Sequence, residues 1–167
     1  YYLEYTRARA AVVHQSLAQP FVEAIGSSNY LRSVLVVSDG DNEEQFTDPR
    51  GGVKYFSFHD TVESQSSECR AADTHRDDVA IWLFTSGSTG HPKGAVHLQH
   101  DLPYNTEVFA KRAMGVNEND LTVSVPKLFF GYATGTNLLF PFAVGGATAL
   151  FAERSTPEKL FDVIDRY

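Results

Sequence analysis

Residues 79–94 read VAIWLFTSGSTGHPKG, and both the fold class and the chemistry of the chain follow from this segment. Its first part, Val79 to Phe84, is apolar throughout, which is typical of a strand that is buried on both faces of a parallel sheet. Its second part, Thr85 to Gly94, is rich in glycine and hydroxyl side chains. Because open α/β sheets bind ligands at the ends of their strands, we expect a ligand site at this junction.

The glycine and hydroxyl loop has the composition of a phosphate site. Glycine tolerates unusual backbone dihedrals, so several N–H groups can point at one anion, while hydroxyls and a lysine add side-chain donors. The residues that we expect to bind phosphate are Thr85, Ser86, Gly87, Ser88, Thr89, Gly90 and Lys93. The alternative is a flexible turn, rich in Gly and Ser, that binds nothing.

The loop differs from two common nucleotide-binding motifs. The P-loop of nucleoside triphosphatases requires Gly-Lys-Ser/Thr, whereas Lys93 lies between Pro92 and Gly94. The segment also lacks the pattern Gly-x-Gly-x-x-Gly. Both departures argue against kinase, GTPase and dinucleotide-binding functions.

The segment ahead of the loop predicts α/β layering. Residues 3–9 have the pattern of the end of a helix, and residues 10–14 and 34–37 form two short apolar runs. An amphipathic helix, residues 17–25, separates these runs, and the whole has the length of a parallel crossover unit. Residues 38–78 predict an acidic surface segment.

The segment after the loop continues the alternation. Its patterns predict helices at 101–114 and 132–143 and strands at 121–125 and 147–151. A last helix begins after Thr156, which is placed to cap it, with Pro157 at its first position. We therefore predict an α/β fold with a mostly parallel sheet and flanking helices.

Composition excludes several classes of partner. The 167 residues carry a net charge of −7, which would repel a nucleic-acid backbone. The most apolar stretch, residues 137–151, is too short to span a bilayer. The single cysteine excludes an internal disulfide, so we expect a reducing, cytoplasmic location. The chain begins at Tyr1 and ends at Tyr167 inside a helical pattern, and we interpret it as a piece of a longer protein.

The loop Thr85 to Gly94 resembles the signature loop of the adenylate-forming (AMP-binding) superfamily, which includes acyl- and aryl-CoA synthetases. Three later stretches, residues 126–132, 139–141 and 152–157, are similar to the benzoate-CoA ligase branch. The resemblance is strong over 79–167 and weaker over 1–37. It implies that residues 1–167 are part of the family's large N-terminal domain, and that the C-terminal lid is absent. Within that part, 1–37 would be a strand-helix-strand segment, 38–78 a variable surface segment, and 79–167 the phosphate-loop and acyl-pocket segment.

This resemblance implies an ATP-dependent carboxylate-CoA ligase that forms an acyl-adenylate and then an acyl-CoA. Its substrates would be an aryl acid such as benzoate, ATP with Mg²⁺, and coenzyme A. Gly131 and Tyr132 align with the segment that lines the acyl pocket. The family's magnesium-binding Glu and catalytic Lys lie outside these residues, so we expect no catalytic residue, no metal ligand and no turnover from this chain alone.

Alternatives remain for the whole protein and for single residues. The protein is alternatively an adenylation domain that loads a carrier protein, or a non-catalytic nucleotide-binding module. Tyr132 fits a core position as well as a substrate contact, and Lys127 is typical of a solvated strand end. His97 and His100 are typical of polar residues at a strand end and a helix cap, since no other ligand is spaced for a metal site. Faces that the rest of such a domain would cover are expected to favour self-association.

Overall fold

The computed structural model describes residues 1–26, 28–40, 46, 51–86 and 90–167. The chain divides into two compact units, residues 1–71 and residues 72–167.

The first unit is built on a three-stranded parallel sheet. Its elements in chain order are helix α1 (Tyr2–Thr6), strand β1 (Ala10–His14), helix α2 (Gln15–Ile25), strand β2 (Ser33–Val37), strand β3 (Lys54–Ser57) and helix α3 (Phe58–Glu63). The strand order is β1-β2-β3, with Val12 opposite Leu35 and Val34 opposite Tyr55. The predicted crossover unit is therefore present.

The core of this unit lies between α2 and the sheet. Its buried members are Ala18 and Ile25 of α2, Leu31 before β2, and Val34 and Val36 within β2. His14 begins α2, because its ring nitrogen Nδ1 accepts a hydrogen bond from the Ser16 N–H at 3.3 Å. Strand β3 and helix α3 were not predicted, because residues 38–78 were assigned to a surface segment. In the structure Phe56 and Phe58 are indeed partly exposed.

The second unit combines one antiparallel strand pair with one short parallel pair. Strands β4 (Val79–Thr85) and β5 (Lys93–Leu98) are antiparallel, whereas β6 (Leu121–Thr122) and β7 (Ala147–Thr148) are parallel. Helix α4 (Asp101–Asn105) continues as a π-helical stretch, Thr106–Met114, that ends at Gly115. Helix α5 (Gly131–Thr134), the π-helical stretch Gly135–Leu139 and helix α6 (Phe140–Val144) also form one continuous run, and α7 (Pro157–Arg166) closes the chain.

Most of the predicted elements of this unit are confirmed. The helical runs 101–114 and 131–144 lie where the periodicity predicts them, and Thr156 Oγ1 accepts a hydrogen bond from Lys159 N at the start of α7. Strands β6 and β7 are only two residues long, shorter than predicted. Three pairings among the described strands are parallel and one is antiparallel, which confirms the mostly parallel α/β class. No helix within the described ranges is long and apolar enough to cross a membrane.

Candidate functional site

The glycine and hydroxyl loop joins the two strands of the β4–β5 hairpin. Thr85 lies opposite Lys93, and Phe84 lies opposite Gly94, so the loop leaves and re-enters the hairpin at one end. Residues directly opposite each other in an antiparallel pair place their side chains on the same face. Thr85 and Lys93 therefore carry their side chains on the same face at the base of the loop.

The structure describes four of the seven predicted phosphate-binding residues. Thr85, Ser86, Gly90 and Lys93 are all exposed at this end of the hairpin. Gly90 has a φ of 88°, a left-handed conformation that a side chain would strain, and this is the role that the sequence assigned to glycine. The predictions for Gly87, Ser88 and Thr89 fall outside the described residues, and phosphate binding by the loop stays a prediction.

The antiparallel pairing was not predicted. Val79 to Phe84 was expected to be a strand buried on both faces of a parallel sheet, but β4 pairs antiparallel with β5 and its residues are only partly buried or exposed. The signal was present in the sequence, since a loop rich in Gly and Pro with apolar residues on both sides is typical of a hairpin. Gly94 and His97 interrupt the apolar pattern of β5, so the strand was not recognised in the sequence.

A cavity of about 420 Å³ lies against the same face of β4. Ile81 and Leu83 line it, and because side chains alternate along a strand, Thr85 is the next residue on that face. Residues of α4, of α5 and of the π-helical stretches that follow them form the other walls, including Leu102, Val108, Gly131 and Leu139. The loop base and an apolar cavity thus follow each other along one strand face.

Gly131 lines this cavity at the point where α5 begins. A Cβ at Gly131 would lie 2.8 Å from Leu83 Cδ1, so the space left by the missing side chain is filled by Leu83. Tyr132, the other predicted acid-binding residue, is 67% exposed. A buried core position for Tyr132 is therefore excluded within this chain, while substrate contact by Gly131 and Tyr132 stays a prediction.

A polar network borders the cavity where β5 meets α4. Asp101 Oδ2 accepts a hydrogen bond from Leu98 N at 2.9 Å and lies 3.4 Å from His97 Nδ1, and Asp101 Oδ1 lies 3.2 Å from His100 Nε2. The Leu98 N–H, and then the two nearby imidazoles, lower the pKa of the Asp101 carboxyl. His97 and Asp101 both line the cavity, a location that no local pattern in the sequence predicts.

This network does not form a metal centre in the part of the chain that the structure describes. There, no group of three or more His, Cys, Asp or Glu residues is arranged to hold a metal ion. His100 Nδ1 lies near Asp77 and the main-chain oxygen of Arg76, so His100 joins the segment before β4 to the start of α4. His97 lies near the end of β5, and His100 is the N-cap residue of α4 but makes no side-chain capping hydrogen bond.

Lys127 differs from its prediction as a solvated lysine. Its Nζ donates hydrogen bonds to the main-chain oxygens of Phe151 and Glu153, at 2.8 and 2.7 Å. The same atom lies 3.6 Å from the centre of the Phe151 ring, which is a cation–π contact. From its residue type alone, such a lysine is expected on the surface. Its two acceptors lie more than twenty residues away in sequence, so no local pattern indicates them.

Comparison with known proteins gives consistent matches along the whole chain. The family model described as AMP-binding enzyme matches residues 1–167. A benzoate–CoA ligase of Thauera aromatica is 38% identical over 167 residues, which are 100% of this chain and 29% of that protein. A 4-hydroxybenzoate–CoA/benzoate–CoA ligase of Rhodopseudomonas palustris is 29% identical over 98% of this chain and 28% of its own length.

Two crystal structures resemble the fold at identities above 30%. An anthranilate CoA ligase in complex with anthranoyl-AMP has a TM-score of 0.84 and 32% identity, covering 100% of this chain and 30% of that one. A benzoate CoA ligase from Burkholderia xenovorans has a TM-score of 0.73 and 31% identity, covering 97% of this chain and 29% of that one. The chain therefore spans about 30% of the length of the proteins that it matches.

Proposed function

This chain belongs to the AMP-binding enzyme family, and we propose that the protein containing it activates an aromatic carboxylic acid with ATP and passes the acyl group to coenzyme A. The sequence-based assignment to this family, with its likeness to benzoate-CoA ligases, is confirmed. The chain spans 29% of the length of the Thauera aromatica ligase, so the substrates of the whole protein, including its acid, are proposed.

The observation that carries the proposal is the arrangement along β4. Ile81 and Leu83 line an apolar cavity, and Thr85 on the same face begins the loop with its opposite partner Lys93. An aromatic acid has an apolar ring and an anionic end, and ATP brings a polyphosphate to the same reaction. The apolar cavity would take the ring of the acid, and the donors at the end of β4 would take the phosphates of ATP. The carboxylate and the α-phosphorus would then meet between them.

In the proposed reaction the loop acts on the leaving group. When the carboxylate oxygen attacks the α-phosphorus of ATP, negative charge develops on the departing pyrophosphate. The Thr85 and Ser86 hydroxyls, the Lys93 ammonium and the loop N–H groups would hold the β- and γ-phosphates and stabilise that charge. Mg²⁺ would accompany ATP and be bound largely through its phosphates, as is usual for this ion.

The cavity would determine which acid is accepted. Its volume of about 420 Å³ falls within the range of small-molecule sites, and its walls are mostly aliphatic and aromatic side chains. His97 and Asp101 provide a polar border. We propose a cytoplasmic location, because the thiol of coenzyme A has to stay reduced.

The proposal is tested by ATP–pyrophosphate exchange with the full-length protein that contains this sequence. The acids compared are benzoate, 2-aminobenzoate, 4-hydroxybenzoate and octanoate, each with and without coenzyme A. We expect exchange with at least one aromatic acid, and formation of its acyl-CoA when coenzyme A is present. Absence of exchange with every carboxylate would refute the proposal. The chain of residues 1–167 alone serves as a control in which we expect no acyl-AMP.

The two alternatives predict different results in the same assay. An adenylation domain that loads a carrier protein would exchange pyrophosphate but leave coenzyme A unacylated. A non-catalytic nucleotide-binding module would bind ATP and show no exchange. Titration with labelled ATP, run beside the exchange assay, separates these two outcomes.

A further inference from the structure

The chain between β6 and α5 has little regular main-chain pairing of its own. Strands β6 and β7 pair over two residues each, Leu121 with Ala147 and Thr122 with Thr148. The segments that follow them, residues 124–130 and 150–156, run on beyond this short ladder. Further contacts connect these two segments.

Side chains make that connection. Ser155 Oγ donates a hydrogen bond to the main-chain oxygen of Val125 at 2.7 Å. Lys127 Nζ donates to the main-chain oxygens of Phe151 and Glu153, on the same neighbouring segment. Hydrogen bonds with a charged donor are stronger than those between neutral groups, so Lys127 provides the stronger connection.

Lys127 is also linked directly to the start of α5. Its main-chain oxygen accepts a hydrogen bond from Phe130 N at 2.9 Å, which closes the turn before Gly131. Thr134 Oγ1, inside α5, donates back to the main-chain oxygen of Leu128 at 2.7 Å. Through these two hydrogen bonds, a displacement of Lys127 would also displace the first residues of α5.

We propose that Lys127 is a positioning residue for the acid substrate, and that it acts by fixing the start of α5 rather than by touching acid or phosphate. This inference rests on the proposed function, because Gly131 and Tyr132 are the residues predicted to contact the acid. Two of the three N–H donors of the ammonium are used on main-chain oxygens, and Nζ lies over the Phe151 ring. The charge of Lys127 thus stabilises the protein's own backbone.

Lys159 provides a matched control in the same neighbourhood. Its Nζ lies 5.9 Å from the centre of the Phe151 ring and 2.6 Å from Glu153 Oε1, so it has the same charge and nearly the same surroundings. Its Nζ, however, donates to a carboxylate side chain and not to a main-chain oxygen. Removing Lys159 changes the local charge by the same amount as removing Lys127, but leaves the two segments connected.

The experiment compares Lys127→Met, Lys127→Arg and Lys159→Met in the full-length protein by steady-state kinetics and by hydrogen exchange. For Lys127→Met we expect about a tenfold rise in KM for the aromatic acid, a change of less than about twofold in KM for ATP, and faster exchange of amides in residues 124–134. Arginine also donates to two acceptors, so Lys127→Arg is expected to recover most of both properties. Lys159→Met is expected to resemble the wild type in both.

Three results would overturn the inference. Wild-type exchange rates over 124–134 in Lys127→Met would show that the lysine does not hold this segment. Faster exchange with an unchanged KM for the acid would show a structural role only. A parallel rise in KM for ATP would show that Lys127 acts on the nucleotide.

A failure of the proposed function gives a different signature. A wild-type protein that is inactive with every carboxylate refutes the proposed function and, with it, the role toward the acid. Hydrogen exchange needs no substrate, so it still decides whether Lys127 connects the two segments.

Discussion

The two units of this chain differ in the interactions that stabilise each of them internally. Residues 1–71 form a parallel sheet covered by α2, and the five buried hydrophobic residues that the structure describes there form one cluster. The described part of residues 72–167 also contains five buried hydrophobic residues, of which three are alanines. Residues 72–167 have short strands, π-helical stretches and long loops, whose main-chain oxygens are bound by Lys127, Thr134 and Ser155. Its buried Asn137 donates a hydrogen bond to Thr148, which ties the long helical run to β7.

The difference separates stability from the positioning of the candidate site. Apolar burial stabilises the first unit without fixing any single contact, so it tolerates changes that preserve volume. Hydrogen bonds from particular side chains fix the loops of the second unit, and each one is lost with one substitution. Substitutions at buried, close-packed and hydrogen-bonded positions of the two units test this contrast.

Leu31→Ala should have the largest effect, because Leu31 is fully buried in the core of the first unit. We expect a loss of about 3 kcal/mol in the free energy of unfolding of that unit, from lost burial and from the cavity left behind. Denaturant titration, with hydrogen exchange to assign the effect to residues 1–71, measures it. Leu17→Ala is the control, since Leu17 is 62% exposed and its loss should change the free energy of unfolding little. Equal effects of the two substitutions would contradict an apolar core at Leu31.

Gly146→Ala should destabilise the second unit by about 2 kcal/mol, because an added methyl group would meet backbone. A Cβ there would lie 3.0 Å from the main-chain oxygen of Asp120 and 3.2 Å from that of Asn117. Gly131→Ala is the comparison. Its Cβ would meet only the end of the Leu83 side chain, which can rotate away, so we expect a loss of less than about 1 kcal/mol. A larger loss for Gly131→Ala than for Gly146→Ala, measured by denaturant titration, would contradict this account.

Thr156→Ala should cost about 1 kcal/mol, because it removes the acceptor for Lys159 N at the start of α7. Thr156→Ser keeps the hydroxyl and should lie within a few tenths of a kcal/mol of the wild type. The helix should fray first at residues 157–160, which hydrogen exchange detects. Equal stability of the alanine and serine variants would show that the cap contributes nothing.

Asp101→Asn should give the smallest and most pH-dependent effect. The folded-state pKa of Asp101 is lowered, first by the Leu98 N–H and then by His100 and His97, so the unfolded state binds this proton more readily. The stabilisation is complete above the ordinary aspartate pKa of about 3.9 and disappears as the pH falls through the lower folded value. Wild type and variant should therefore differ at pH 6 and converge near pH 2 in urea titrations. A difference that grows on acidification would contradict the sign of the shift.

The elements that the sequence predicted well are those in which one local pattern dominates. The helical run of α2, the apolar runs of β1 and β2 and the cap of α7 each depend on neighbouring residues, and all are present. Within α2, however, Ala18 and Ile25 are buried whereas Leu17 is 62% exposed, so the side of the helix that was predicted to face the core is only partly right. The composition of the glycine loop predicts phosphate binding, and this stays a prediction. The position of Thr85 opposite Lys93 required knowledge of β5, whose pattern Gly94 and His97 interrupt.

The features that could not be predicted depend on contacts between distant residues. Lys127 binds oxygens that lie 24 and 26 positions further along the chain, and no local pattern in the sequence indicates such a pair. Gly131 was predicted to leave space for a substrate, but only the structure shows that Leu83 occupies this space. The wall of the cavity formed by His97 and Asp101 likewise depends on how β5 meets α4.

The most direct test of the account is the affinity of the full-length protein for Mg-ATP, measured by calorimetry with Lys93→Met and with Lys111→Met. Lys111 pairs with Glu107 on the π-helical stretch after α4 and controls for the loss of one positive charge. We predict that Lys93→Met weakens ATP binding at least about tenfold, as expected for the loss of a charged hydrogen bond to phosphate, and that Lys111→Met leaves it unchanged. Wild-type affinity in Lys93→Met would contradict the assignment of the loop after β4 to the phosphates of ATP.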